Sequence, residues 1–222
     1  MTAQLDRPRP DRGLAVARYR GHAAGYDASA ARTMELRRRT IALLGLRDGD
    51  NVLDVACGTG LSFSLLAAAV GTSGRVVGVE LSPEMTRLAR DRIDAAGWPN
   101  VSVIESAVEE VQLPEAFDAV LFNFTHDVLQ SPAALARAFA ASRPGARVAA
   151  SGSKLYPWWL APANVVVRRI NTPYLTTFAG LRTPWRALAS YVPDLHVRSA
   201  LWGAGYLASG RYRPPKSEKP TA

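Results

Sequence analysis

The feature that most constrains this chain is the alternation of short apolar runs with helix-forming stretches between residues 51 and 152. Residues 51–56, 75–80, 101–106, 117–124 and 146–152 are apolar runs of strand length, each bounded by turn residues, and read as five strands. The intervening stretches carry helix signals. Leu61–Val70 reads as a helix. Ser82 is a good N-cap, Pro83 suits the first helical position, and Gly97 ends a helix running to about Ala96. Ser131-Pro132 repeats that start for a helix to about Ser142. Strands separated by helices at this spacing predict a parallel sheet covered on both faces.

After the fifth strand the pattern changes. Residues 154–180 are rich in Pro, Trp and Tyr without a clear period, and Pro184–Tyr191 reads as a short helix. His196–Trp202 and Gly205–Gly210 flank Gly203-Ala204 as an antiparallel hairpin, which an NAD-type Rossmann domain normally lacks. The expectation is therefore an α/β fold: a Rossmann-like, seven-stranded, mostly parallel sheet with helices on both faces and a C-terminal antiparallel hairpin. A chain of 222 residues has room for one such domain, predicted over 14–210. The polar, Pro-rich ends, 1–13 and 211–222, are predicted to be disordered.

Composition narrows the setting. Cys57 is the only cysteine, so no internal disulfide forms. The first residues lack the apolar run of a secretory signal, and no apolar stretch is long enough to span a bilayer. The expected location is the cytoplasm. The formal charge of +8 raises nucleic acid as a partner, but it comes from arginines scattered from Arg7 to Arg213. The densest run, Arg37-Arg38-Arg39, reads as a solvated helix face.

The most specific segment is Asp54-Val55-Ala56-Cys57-Gly58-Thr59-Gly60, at the carboxyl end of the first strand, where open α/β sheets bind ligands. Gly58 and Gly60 let the backbone turn tightly and meet a ligand without a Cβ in the way. Phe63 stands where a dinucleotide fingerprint needs a third glycine, and no lysine follows as in a P-loop. Glu80 ends the second strand, where a carboxylate can accept both hydroxyls of a ribose. Asp54 adds negative charge beside the loop, suiting a ligand that carries an ammonium and a sulfonium.

Across residues 19–211 these features resemble the class I S-adenosylmethionine-dependent methyltransferases, especially the small-molecule, ubiquinone/menaquinone-type branch. Asp54-x-x-Cys57-Gly58-x-Gly60 matches the glycine-rich motif, with Ala56 inside it. Glu80-Leu81-Ser82-Pro83-Glu84-Met85 matches the acidic ribose ligand and following helix, which implies that Leu81 and Met85 lie against the adenine. Ser106-Ala107 occupies the adenine-contacting pair, although Ser106 replaces the usual Asp and so removes that carboxylate. Asn123-Phe124-Thr125 is placed to offer a backbone carbonyl to the cofactor's amino group. The resemblance implies S-adenosylmethionine as cofactor, lid helices over 14–48 and an acceptor-side insertion over 154–182.

Methyl transfer requires an aligned nucleophile in a dry site, so a dedicated base is optional. His126 and Asp127, just past the fourth strand, are the candidates for one; the alternative is a structural histidine and a capping aspartate. His22 and His196 are weaker candidates, and His196 in a predicted strand is expected to pack. Tyr19 and Tyr26 either cover the cofactor and acceptor or pack their helix on the sheet. Trp158 and Trp159 are candidates to clamp a flat or greasy acceptor, seat a homodimer, meet a lipid surface beside Arg168 and Arg169, or pack in the core. No His, Asp and Glu cluster suggests a metal. The expected activity is methylation of a small, partly apolar acceptor. The rival readings are a nucleic-acid methyltransferase, which would want a motif that Asn123-Phe124-Thr125-His126 lacks, and a non-catalytic cofactor-binding subunit.

Overall fold

The computed structural model describes residues 10–114 and 116–214. Two helices, α1 (Arg12–Ala30) and α2 (Met34–Leu43), precede the sheet. Then follow β1 (Asn51–Val55), α3 (Phe63–Val70), β2 (Arg75–Glu80), α4 (Pro83–Ala96), β3 (Val101–Glu105), β4 (Phe117–Asn123), α5 (His126–Leu129), α6 (Pro132–Ala140) and β5 (Ser142–Ser153). A 3-10 segment, Trp158–Ala163, leads into α7 (Asn164–Asn171), and β6 (His196–Ala200) and β7 (Gly205–Arg211) close the fold.

The seven strands run in the order β3-β2-β1-β4-β5-β7-β6. All neighbours are parallel up to β5; β7 then pairs antiparallel with both β5 and β6. The chain starts in the middle and winds outward in both directions, so the crevice lies at the carboxyl ends of β1 and β4. Helices on both faces leave the central strands almost wholly buried, which is why their sequences read as unbroken apolar runs. The two-residue strand period sorts the side chains. Leu53 and Val55 join Val77, Val79, Val120 and Phe122 on one face, and Val52 joins Val76, Ala119 and Leu121 on the other. On that second face α3 inserts Phe63, Leu66, Ala67 and Val70, the buried stripe of a helix one side of which meets the sheet. Each such large side chain contributes about 1.5–3 kcal/mol by leaving water.

Caps act where the sequence placed them. Ser82 and Ser131 accept from the Met85 and Ala134 amides, each with proline next in the chain, and α4 stops before Gly97. Four expectations change. Residues 154–180 are not irregular throughout, because they contain α7, whose short length hid its period. Pro184–Tyr191 is mostly turn, with a 3-10 segment only at Leu188–Ser190. Parts of the two polar ends are built into the fold. Asp11 caps α1, Arg12 pairs with Glu109 and Glu110, and Tyr212 is buried, stacked on Phe139 at 4.7 Å. Residues 1–9 and 215–222 lie outside the described residues. His196 is exposed on the edge strand rather than packed, and the side chain of His22 is likewise outside the description.

Candidate functional site

The turn after β1 is held open by its backbone. Ala56, Gly58 and Gly60 all have positive φ (51°, 60° and 76°). A side chain on Gly60 would fall 2.5 Å from the Phe63 ring, whereas one on Gly58 would meet only the Tyr26 ring at 3.8 Å, across open space. Gly60 is therefore needed for packing, and Gly58 faces a cavity. Glu80 reaches over from β2. Its Oε2 accepts from the Gly58 amide at 2.9 Å and its Oε1 from the Ser82 amide at 2.8 Å. Burial pushes the Glu80 carboxyl up, and the amides of Ser82, Gly58 and Leu81 oppose that rise.

Ala56, Gly58, Glu80, Leu81, Met85, Ala107 and Asn123 surround this first cavity, of about 120 Å³. Asn123, one of the lining residues, accepts from the Ser151 hydroxyl, and its Nδ2 is buried with no partner among the described residues. Three of the anticipated residues stand back. Gly60 shapes the turn. Ser106 does not line the cavity and donates to the Ala107 carbonyl at 3.0 Å. Asp54, 1% exposed, points to the face covered by α2 and α3 because it shares the strand phase of Val52. There it lies near Arg37 and Ser62, which are joined at 2.8 Å. Burial pushes the Asp54 carboxyl up to about 7, and Arg37 and Ser62 hold it down only in part. Of the three consecutive arginines, then, Arg37 is not on a solvated face.

A second cavity, of about 640 Å³, lies beyond, and Tyr19, Tyr26, Phe124, His126, Tyr174 and Leu175 line both. The three tyrosines form the common wall, with ring centres 6.0–6.5 Å apart and the Tyr19 hydroxyl donating to the Tyr174 carbonyl at 3.3 Å. Burial raises the phenols of Tyr19 and Tyr26, so both stay protonated. Phe124 has φ +60°, a conformation that costs energy in a non-glycine residue and often marks a working site.

His126 and Asp127 begin α5 at this wall. The Asp127 Oδ2 accepts from the Thr176 amide at 2.9 Å and hydroxyl at 2.6 Å, so this carboxylate ties the segment after α7 to the end of β4. His126 Nε2 lies 3.0 Å from the Ala179 carbonyl, which can only accept; Nε2 therefore carries the proton and Nδ1 the lone pair. Nδ1 is buried without a partner. Burial holds the imidazole below its ordinary pKa, against the opposing pull of Asp127. Trp158 and Trp159 line neither cavity and are 75% and 64% exposed, so they do not clamp anything in this site. Tyr174 was missed by the sequence reading because it lies in a stretch without a period. Among the described residues no group of three or more His, Cys, Asp or Glu could hold a metal.

Residues 52–145 match a family described as "Methyltransferase domain". The chain is 28% identical over 147 residues to a demethylmenaquinone methyltransferase of Listeria welshimeri, an alignment covering 64% of this chain and 62% of that protein. It is 32% identical over 133 residues to the protein of that name from Symbiobacterium thermophilum, covering 56% and 53%. The chain thus spans less than two thirds of these relatives. The fold is also that of a SAM-dependent methyltransferase from Aquifex aeolicus, with a TM-score of 0.57 at 20% identity, covering 79% of this chain and 89% of that one.

Proposed function

We propose that this chain is a class I S-adenosylmethionine-dependent methyltransferase, as its methyltransferase-domain match and fold support, and that it methylates a small, partly apolar acceptor held in the second cavity. The observation that carries the proposal is the shared wall. One cavity has the chemistry of a nucleoside and amino-acid site, the other is lined mostly by apolar and aromatic side chains with Arg32, Arg37 and Arg169 among them, and His126 belongs to both.

The residues present fit S-adenosylmethionine. Glu80 keeps free lone pairs for the ribose hydroxyls, the turn at Gly58 has no Cβ to obstruct close approach, and Leu81, Met85 and Val108 offer apolar surface to the base. Asn123 Nδ2 is free to donate to the carboxylate of the amino-acid end. When bound, the cofactor supplies a methyl carbon already activated by a positive sulfur. The chain's own share is to hold the acceptor, exclude water with the three tyrosines, and take the acceptor's proton where it has one. His126 is the residue for that last task. Its neutral form is favoured by burial, and its unpartnered Nδ1 is a base at the boundary of the two cavities. Asp127 positions the wall rather than reacting.

Support for a ring-bearing, partly apolar acceptor comes from the Phe124, Leu175, Leu181 and Tyr206 lining and from the quinone-derived names of the two sequence relatives. Calorimetry with S-adenosylmethionine tests the first half, and incubation of candidate acceptors with a deuterated-methyl cofactor tests the second by mass shift. Failure to bind the cofactor ends the proposal. Binding without transfer to any apolar acceptor, but with transfer to an oligonucleotide, replaces the acceptor class.

A further inference from the structure

Eleven large apolar side chains are exposed among the described residues, and eight of them fall on two neighbouring segments: Trp158, Trp159, Leu160, Val165, Val166 and Ile170, with Leu201 and Trp202. The two segments adjoin. Leu201 and Ile170 both line the second cavity, and the turn at Gly203 sits against the Tyr156 ring, two residues before Trp158. Their outward pose is imposed from below. Val167 and Asn164, the inner face of α7, are buried, Val167 on a small cluster of Leu155, Leu175 and Leu181, and Asn164 exchanges hydrogen bonds with Tyr156. The remaining turn of α7 must then present Val165, Val166, Arg169 and Ile170 to solvent.

The stretch of sequence that builds most of this face carries charge of one sign. Between Asp127 and Asp194 the chain has no Asp or Glu at all, while Arg168 and Arg169 lie on α7 and Lys154, Arg182 and Arg186 fall in the segments before and after it in sequence. None of these five cations forms an ion pair among the described residues, although Arg168 sits 5.1 Å over the Phe178 ring. Elsewhere among the described residues eight arginines are matched, including Arg12, Arg20, Arg92, Arg143 and Arg147.

We propose that this face docks on an anionic lipid bilayer surface, with the tryptophans and α7 aliphatics entering the interface and the five cations meeting the headgroups. Three observations select this occupant. Indole rings are at home at the water–hydrocarbon boundary, and aliphatic Val and Ile want acyl chains. Unpaired cations beside them complement anionic headgroups. A second copy of the chain fits worse, because a two-fold contact brings the patch against itself and faces unpaired cations with their own kind. Nucleic acid would use the cations and the rings but has no counterpart for Val165, Val166 and Ile170. Docking also points the mouth of the second cavity, at Ile170 and Leu201, toward the bilayer; that consequence alone rests on the proposed function.

The test is flotation of the full chain with phosphatidylcholine vesicles and with vesicles containing about one third phosphatidylglycerol, read also by tryptophan emission. The expected result is binding to the anionic vesicles at least roughly tenfold stronger than to neutral ones, weakening as salt is raised, with a blue shift in emission. Trp158→Ala/Trp159→Ala should lose about tenfold or more of that binding while cofactor calorimetry and Tm stay as in the parent, since both rings stand mostly in solvent and touch each other edge to face. Arg168→Gln and Val166→Asp serve as second variants, the first reducing the salt dependence and the second the binding itself. Absence of vesicle binding overturns the proposal, as does binding indifferent to all three variants. So does size-exclusion showing a dimer that the tryptophan variant dissociates, or a short RNA bound through these residues in preference to vesicles. None of these readouts depends on methyl transfer, so its failure would leave the docking result intact.

Discussion

At the scale of single residues, Glu80 does two things at once, and its replacement tests both. The carboxylate bridges the Gly58 and Ser82 amides while facing the cavity, so Glu80→Ala should weaken S-adenosylmethionine binding about 10- to 100-fold, or about 1.4–3 kcal/mol. Calorimetry reads this directly. Because two buried amides lose their acceptor, Tm should also fall by several degrees, at about 2–4 °C per kcal/mol for a chain of this size. A variant with unchanged affinity places the ribose elsewhere. Gly58→Val should abolish binding, since φ +60° and the nearby Tyr26 ring leave a branched side chain nowhere but the cavity. His126 gives a pH signature. Burial lowers its pKa, so between that value and the ordinary one of about 6.5 the unfolded chain binds more protons than the folded one. The stability conferred by neutral His126 is complete above about pH 6.5 and is lost as pH falls through the lowered value. The acid limb of kcat/KM should therefore lie below about pH 6.5, and His126→Gln should remove that limb while sparing cofactor affinity. A limb that persists in the variant assigns the base elsewhere.

At the scale of elements, α1 lies across the first cavity and is held there by polar ties at its surface. Asp27 accepts from the Thr59 hydroxyl at 2.6 Å and from the Arg92 guanidinium, and Arg20 pairs with Glu84 at 2.7 Å. These contacts join α1 to the glycine turn and to α4, two walls of the first cavity. Exposed ion pairs are each worth about 0–1 kcal/mol, so they can bias an opening without deciding the fold. Asp27→Ala should speed cofactor dissociation by up to about tenfold in stopped-flow while moving Tm by no more than about 2 °C. Equal dissociation rates in the two proteins would mean that α1 does not gate the site. Helix α7 shows how far periodicity carries at this scale. Its inner and outer faces are distinct, but eight residues between a proline-containing 3-10 segment and a turn give the pattern too little length to stand out.

At the scale of the molecule, the centre and the rim differ in what holds them. Strands β1 and β4 are buried on both faces and hydrogen-bonded on both edges, whereas α7 rests on a small satellite cluster with most of its surface in water. Amides of β1 and β4 should exchange with solvent only through global unfolding, and those of α7 orders of magnitude faster. Hydrogen-exchange mass spectrometry would show the two regimes; equal protection would contradict the satellite description. The sequence alone determined the five parallel strands, the Ser-Pro helix starts, the glycine turn and the acidic residue ending β2, because strand length, caps and Cβ sterics act within a few residues. It could not say which of Arg37, Arg38 and Arg39 is buried; Arg37 is, because strand phase turns Asp54 toward α2. Nor could it bring Tyr174 to Tyr19, 155 residues away, or choose among a clamp, a core and an outward surface for Trp158 and Trp159, which stand 75% and 64% exposed. Those outcomes depend on how distant segments dock on a finished sheet, and packing between remote parts of a chain leaves no local period to read.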